Sequence, residues 1–291
     1  MDDCIEIVED AFYQVLRDDS RLECLADGFR FTEGPAWWAA MGCLVFSDIP
    51  GDTIYRWTPA EGVSPWRRPS RHANGHTTDL EGNLLTCEHG SRTVTRTSPQ
   101  GQVTTVAAAF QGRKLNSPND IVVKRDGTIW FTDPPYGIKP DQREQPANYV
   151  FRLDPAATEP VAVASDFSRP NGLCFSPDER LLYIADSDTT IHHVRRFTVS
   201  ADHTLCGGEV FAVIAPGVPD GMRMDAAGRL FVTAGDGVHV FAPDGRMLGR
   251  IHTPQTAANC AFGGPDGDTL FITATSSVWS IRLATRGAGL S

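Results

Sequence analysis

Residues 44–48 read L-V-F-S-D, and runs of the same kind return five times: L-L-T-C-E at 84–88, I-W-F-T-D at 129–133, L-Y-I-A-D at 182–186, L-F-V-T-A at 230–234 and L-F-I-T-A at 270–274. Their last residues are spaced 40, 45, 53, 48 and 40 apart, the length of one four-stranded propeller blade. Leu, Val, Ile, Phe and Thr bounded by Gly, Pro and Asp turns are strand signals. Six copies predict an all-β, six-bladed propeller.

Working outward, each run is preceded at 14 or 15 residues by a polar residue: Glu33, Asn74, Asn119, Asn171, Asp220 and Asn259. Their contexts are related (E-G-P, A-N-G, S-P-N-D, R-P-N-G, V-P-D-G, A-N-C) and fall where a loop enters a blade's first strand. In a propeller that strand lines the central channel, so six polar groups converge on the axis. Further upstream lie outer strands at Val63 to Trp66, Val103 to Ala107, Val161 to Ala164, Val210 to Ile214 and Leu248 to Ile251. The sixth copy, Leu22 to Ala26, precedes the first blade. It is expected to complete the last blade and remove the open edges of the ring. Ile5, Val8, Phe12, Val15 and Leu16 stand at roughly helical spacing, which predicts a short amphipathic N-terminal helix within 2–19. The expected organisation is a helical extension over 1–21 and one propeller domain over 22–291.

With 36 acidic against 26 basic residues the net charge is −10, which argues against a nucleic-acid or anionic-membrane partner. Seven cysteines without a C-x-x-C pair suggest neither a zinc ribbon nor a disulfide framework and fit a reducing compartment. No basic leader and no long apolar run is present, so a cytoplasmic protein, monomeric or weakly dimeric, is expected.

Glu33, Asn119, Asn171 and Asp220 form a coherent donor set: two carboxylates and two amide oxygens suit Ca²⁺ better than zinc, with Mg²⁺ and Mn²⁺ also admissible. A merely polar, water-filled channel explains Asn74 and Asn259, but two carboxylates facing each other there repel unless a cation stands between them. Antiparallel connectivity places the residues after each run on the same mouth, which puts Asp48, Glu88, His89, Asp133, Tyr136, Asp186 and Asp188 on the rim. His89, Asp133, Tyr136 and Asn119 are the expected substrate contacts. The insertion Pro134 to Asn148 is long enough to cover the pocket. The other seven histidines read as surface or internally satisfied groups, and the absence of a G-x-S-x-G elbow argues against a serine hydrolase.

F-R-F-T-E-G-P at 29–35, L-N-S-P-N-D at 115–120, F-T-D-P-P-Y-G at 131–137, R-P-N-G at 169–172 and P-D-G-M at 219–222 resemble the senescence marker protein/gluconolactonase/luciferin-regenerating family, especially its bacterial gluconolactonases. The likeness extends from about Leu22 to Leu283. It implies that Glu33, Asn171 and Asp220 ligate a metal, that Asn119 ligates it or contacts substrate, and that Asp220 is also the general base. The implied activity is metal-assisted opening of a sugar lactone such as glucono-1,5-lactone, the cation polarising the carbonyl and Asp220 activating water. A phosphotriesterase using the same site and a non-catalytic calcium-binding propeller are the alternatives. One departure stands out: Ser117 occupies the position where animal members carry Arg.

Overall fold

The computed structural model describes residues 3–289. Six antiparallel four-stranded arrays are arranged in chain order. Blade 1 comprises Thr32–Trp38, Cys43–Asp48, Thr53–Thr58 and Gly62–Arg67. In blade 2 the strands are Ala73–Thr78, Leu84–Glu88, Thr93–Thr97 and Val103–Ala107. Blade 3 uses Ile121–Val123, Ile129–Asp133, Tyr149–Leu153 and Val161–Ala164. Blade 4 is built from Pro170–Phe175, Leu181–Asp186, His193–Val199 and Leu205–Val213. Blade 5 contains Met222–Met224, Leu230–Ala234, Gly237–Phe241 and Met247–His252. Blade 6 takes Ala257–Gly263, Thr269–Ala274 and Ser277–Arg282 from the end of the chain and Glu23–Asp27 from its beginning. The last two pair antiparallel, Cys24 opposite Trp279, so the ring closes as expected.

The recurring runs are the second strands. Every residue of those in blades 1, 2, 3 and 5 is buried, because both of their faces meet neighbouring blades. Phe46, Phe131 and Phe231 are fully buried there, each stabilising by about 1.5–3 kcal/mol through area removed from water. The serine or threonine in several of these runs has a separate task. Ser47 Oγ donates to the Asn74 carbonyl at 2.9 Å and Thr132 Oγ1 to the Asn171 carbonyl at 2.8 Å. Thr233 Oγ1 donates to the Ala258 carbonyl at 2.9 Å, so a buried hydroxyl of one blade fixes the axial segment of the next.

The N-terminal segment departs from its helical expectation. Its helical content is one 3₁₀ segment, Asp10–Gln14, preceded by a strand, Ile5–Ile7, that adds a fifth strand to the outer edge of blade 5, Ile5 opposite Ile251. I-E-I alternates with period two, and an unpaired outer strand offers it a ladder, which outweighs a helical pattern too short to nucleate alone. Glu6 meets Arg250 and His252 there, while Phe12 and Val15 bury completely against the blade. Val8, counted in the apolar stripe, is 48% exposed.

Candidate metal and substrate site at the channel axis

The axial residues stand at the start of the first strands or just before them, and a glycine often follows. The reason is steric. A Cβ on Gly75 would lie 2.4 Å from the Asn119 carbonyl oxygen, and one on Gly172 would lie 2.2 Å from that of Asp220. These glycines instead donate their N–H groups to those carbonyls, at 2.9 and 3.1 Å, and so join neighbouring blades at the axis.

The acids ending the runs hold the same loops from behind. Asp48 accepts the N–H groups of Arg30 and Phe31, Asp133 that of Asn116 at 2.7 Å, and Asp186 those of Ser168 and Arg169 at 2.9 Å. In each case the donors lie two or three residues before the axial residue of the same blade: Glu33, Asn119 or Asn171. Glu88 differs, accepting from Ser91 and Thr95 and pairing with Arg67. These carboxylates anchor loops and are not rim contacts. Asp133 in particular is fully buried, and burial pushes its carboxyl up to about 7 against the opposing pull of the Asn116 and Ser117 amides. The structure therefore keeps Asp133 away from the position expected of a substrate contact: the last residue of the second strand faces the incoming loop, not the channel mouth.

Glu33, Asn74, Asn119, Asn171, Asp220 and Asn259 do converge. Asn74 Nδ2 donates to Asn119 Oδ1 and Asn119 Nδ2 to Asn171 Oδ1, both at 2.5 Å, and Asn171 bonds the Asp220 carboxylate. On the other side Asn259 Nδ2 donates to Glu33 Oε2 at 3.1 Å, which also takes the Gly34 N–H at 2.6 Å. The chain of amides stops at the two carboxylates. Asp220 Oδ1 is buried and has no hydrogen-bond partner. Burial first, then the charges of Glu33 and Asp120, holds the Asp220 carboxyl well above the usual range. Burial likewise raises Glu33 to about 7, Gly34 and Asn259 opposing and Asp120 adding to the effect. A dication relieves all three costs at once, and the amide oxygens each keep a second lone pair for it. The donor set thus fits a hard, oxygen-ligated ion. Among the described residues no group of three His, Cys, Asp or Glu side chains is placed to hold a metal, so such an ion would rest on the two carboxylates and the amides.

Two rim residues reach this ring. His89 is 7% exposed, and burial lowers its pKa to about 4. Its Nε2 lies 3.2 Å from the Asn74 amide nitrogen; with that amide donating, the ring proton resides on Nδ1. Tyr136 stands nearer Asp220: burial and the Asp220 charge raise its phenol to about 12, while Ser187 and Asn171 bond it and Arg169 lies over its ring at 5.8 Å. The insertion carrying Tyr136 is tied down. Gln145 donates to the carbonyls of Phe110, Arg113 and Lys114, and Asn116 Nδ2 to that of Ala147.

Sequence reading overlooked Asp120 and Arg223, which form an ion pair under the ring. A signal existed for the first: Asp120 stands where four of the other five repeats carry glycine. Arg223 sits between two buried methionines in a three-residue strand and gave no pattern of its own.

Fold and site together define a closed six-bladed propeller with an oxygen-donor centre on its axis. The chain belongs to the SMP-30/gluconolactonase/LRE-like family, whose model matches residues 31–276. It is 35% identical to the gluconolactonase of Zymomonas mobilis over 94% of this chain and 84% of that protein. Among solved structures it resembles a gluconolactonase of Xanthomonas campestris, with 38% identity, 96% and 94% of the two chains covered and a TM-score of 0.90. A putative gluconolactonase matches at 38% identity and TM-score 0.92, covering 97% and 99%.

Proposed function

We propose that this chain is a lactonase that opens a sugar lactone, glucono-1,5-lactone or a close relative, to the aldonic acid at the axial site. One observation carries the reading: the buried, unpartnered Asp220 oxygen beside Glu33 at the end of a chain of amides, with Tyr136 above it. Membership of the family and likeness to gluconolactonases over nearly the whole chain support it.

A divalent cation, Ca²⁺ by the hardness of the donors, would be held by Glu33, Asn171 and Asp220 with Asn119 beside them, and would supply Lewis-acid polarisation of the lactone carbonyl and neutralise the developing oxyanion. Asp220 accepts the proton of the attacking water through the carboxylate oxygen that no protein group occupies. Tyr136 bonds the sugar hydroxyls from above Asp220 and helps exclude bulk water. His89, neutral, offers Nδ1–H to the substrate and accepts from Asn74. Asn119 orients Asn171 through its amide and is within reach of the substrate.

Cytoplasmic residence and a monomeric or weakly dimeric state belong to the same reading. The free cysteines fit a reducing compartment, and no described helix is long and apolar enough to cross a membrane. Hydrolysis of glucono-1,5-lactone, followed by acid release with and without chelator, tests the proposal. Opening faster than buffer that chelator abolishes and Ca²⁺ restores is expected; a rate at the buffer level with saturating Ca²⁺, Mg²⁺ and Mn²⁺ overturns it.

A further inference from the structure

Beneath the axial ring, on the side away from Tyr136, lies a single ion pair. Arg223 Nη1 is 3.5 Å from Asp120 Oδ2, and the two side chains are 16% and 1% exposed. The guanidinium is braced by a 2.7 Å hydrogen bond to the Met222 carbonyl, and the carboxylate by the Ile121 N–H, which Oδ1 accepts at 2.9 Å. Arg223 enters from the opposite mouth. There it lines a cavity of about 610 Å³ to which first strands of all six blades contribute, Trp37, Thr78, Val123, Phe175 and Phe262 among them.

Of the six residues that directly follow the axial positions in sequence, Asp120 is the charged one. It adjoins Asn119, and its field raises both Glu33 and Asp220, while Arg223 opposes it at Glu33. Counting formal charges in this desolvated segment gives three carboxylates, Glu33, Asp120 and Asp220, and one guanidinium, a sum of two negatives. That sum equals the charge of one dication. With the guanidinium removed it would be three.

We propose that Arg223 is a positioning residue that neutralises Asp120 and thereby sets the axial site to two net negative charges, selecting divalent over trivalent cations. The inference rests on the metal-site reading above. Charge–charge energy scales with the product of the charges, so losing one fixed positive charge favours a trivalent ion by one more unit than a divalent ion. Arginine suits the position because it stays protonated under burial and its planar fork is rigid, where a lysine can lose its proton.

The test is the ratio of affinities for Tb³⁺ and Ca²⁺, read by sensitised Tb³⁺ luminescence and Ca²⁺ competition, with no substrate present. Arg223→Met should raise the Tb³⁺ preference by about tenfold and Asp120→Asn should lower it by about tenfold, for a charge several ångströms from the ion in a partly screened channel. The double variant, which restores the sum, should return to within about threefold of wild type. If folded Arg223→Met keeps the wild-type ratio, the inference falls. Should Arg223→Met not fold, Asp120→Asn decides in its place, and a wild-type ratio there is equally fatal. A wild-type protein that binds neither ion removes the metal-site reading and this inference with it; variants unchanged in a protein that binds both ions remove this inference alone.

Discussion

The hydroxyl of Ser117 accepts the backbone N–H of Gly137 at 2.8 Å and donates to the Pro134 carbonyl, also at 2.8 Å. Ser117 thus holds the turn that bears Tyr136. The turn also lies close on His89: a Cβ on Gly137 would come within 2.5 Å of the His89 Cβ. Ser117, Gly137 and His89 therefore fix the height of Tyr136 above Asp220.

Ser117→Ala removes both bonds and leaves the carbonyl of the buried Pro134 and the N–H of the exposed Gly137 without their side-chain partner, at a cost of about 1 kcal/mol. The Tyr136 turn should loosen. KM for the lactone is expected to rise several-fold with kcat within about threefold of wild type, because binding is lost while the reacting groups stay in place. Steady-state kinetics decide the matter, and an unchanged KM would show that the turn does not position Tyr136 for substrate.

Asp220→Asn keeps an oxygen and the size of the side chain but loses the charge and the base. Metal affinity should fall, and kcat measured at saturating Ca²⁺ should drop by about 10²- to 10⁴-fold. Near-normal kcat at high Ca²⁺ would reduce Asp220 to a ligand and move the search for the base to His89, since Asp133 and Glu88 are buried as loop anchors.

Metal binding should release protons near neutral pH. Without a cation Glu33 titrates at about 7, with the Asp220 carboxyl also raised by burial and by the Glu33 charge, so at pH 6.5 Glu33 largely holds a proton that an ion must displace. Apparent affinity should therefore weaken as pH falls through 7. Calorimetry at pH 6.5 in two buffers of different ionisation enthalpy reads the release directly. Glu33→Gln should release fewer protons, and equal heats in both buffers for the wild-type protein would contradict the assignment.

His76 governs part of the acid stability. It is fully buried between Ser47 Oγ at 2.8 Å and Thr86 Oγ1 at 3.0 Å, and burial, with Arg67 adding, lowers its pKa to about 3. The unfolded chain, titrating near 6.5, takes up this proton first. The stability is thus complete above pH 6.5 and declines as pH falls toward 3, by about 2 kcal/mol at pH 5. Urea unfolding of His76→Gln at pH 7.5 and 5.0 should show a decline smaller by that amount; an identical decline would assign the acid limb elsewhere.

The blade count, the ring closure by Glu23–Asp27 and the convergence of Glu33, Asn171 and Asp220 were all determined by sequence alone, because a repeat forces equivalent residues into equivalent places and six copies of an axial position share one axis. Where no repeat constrains the chain, the sequence was silent or misleading. The pattern Ile5, Val8, Phe12, Val15 is compatible with a helix, and only the vacant outer edge of blade 5 makes a strand of Ile5–Ile7. Asp133 and Tyr136 lie three residues apart on the same expected rim, yet one carboxylate turns inward to the Asn116 amide while the phenol reaches Asp220. The pairing of Asp120 with Arg223 joins residues 103 positions apart from blades 3 and 5. Local pattern fixes which residues face the axis; which charges meet there depends on side-chain reach across a channel whose width only the closed ring sets.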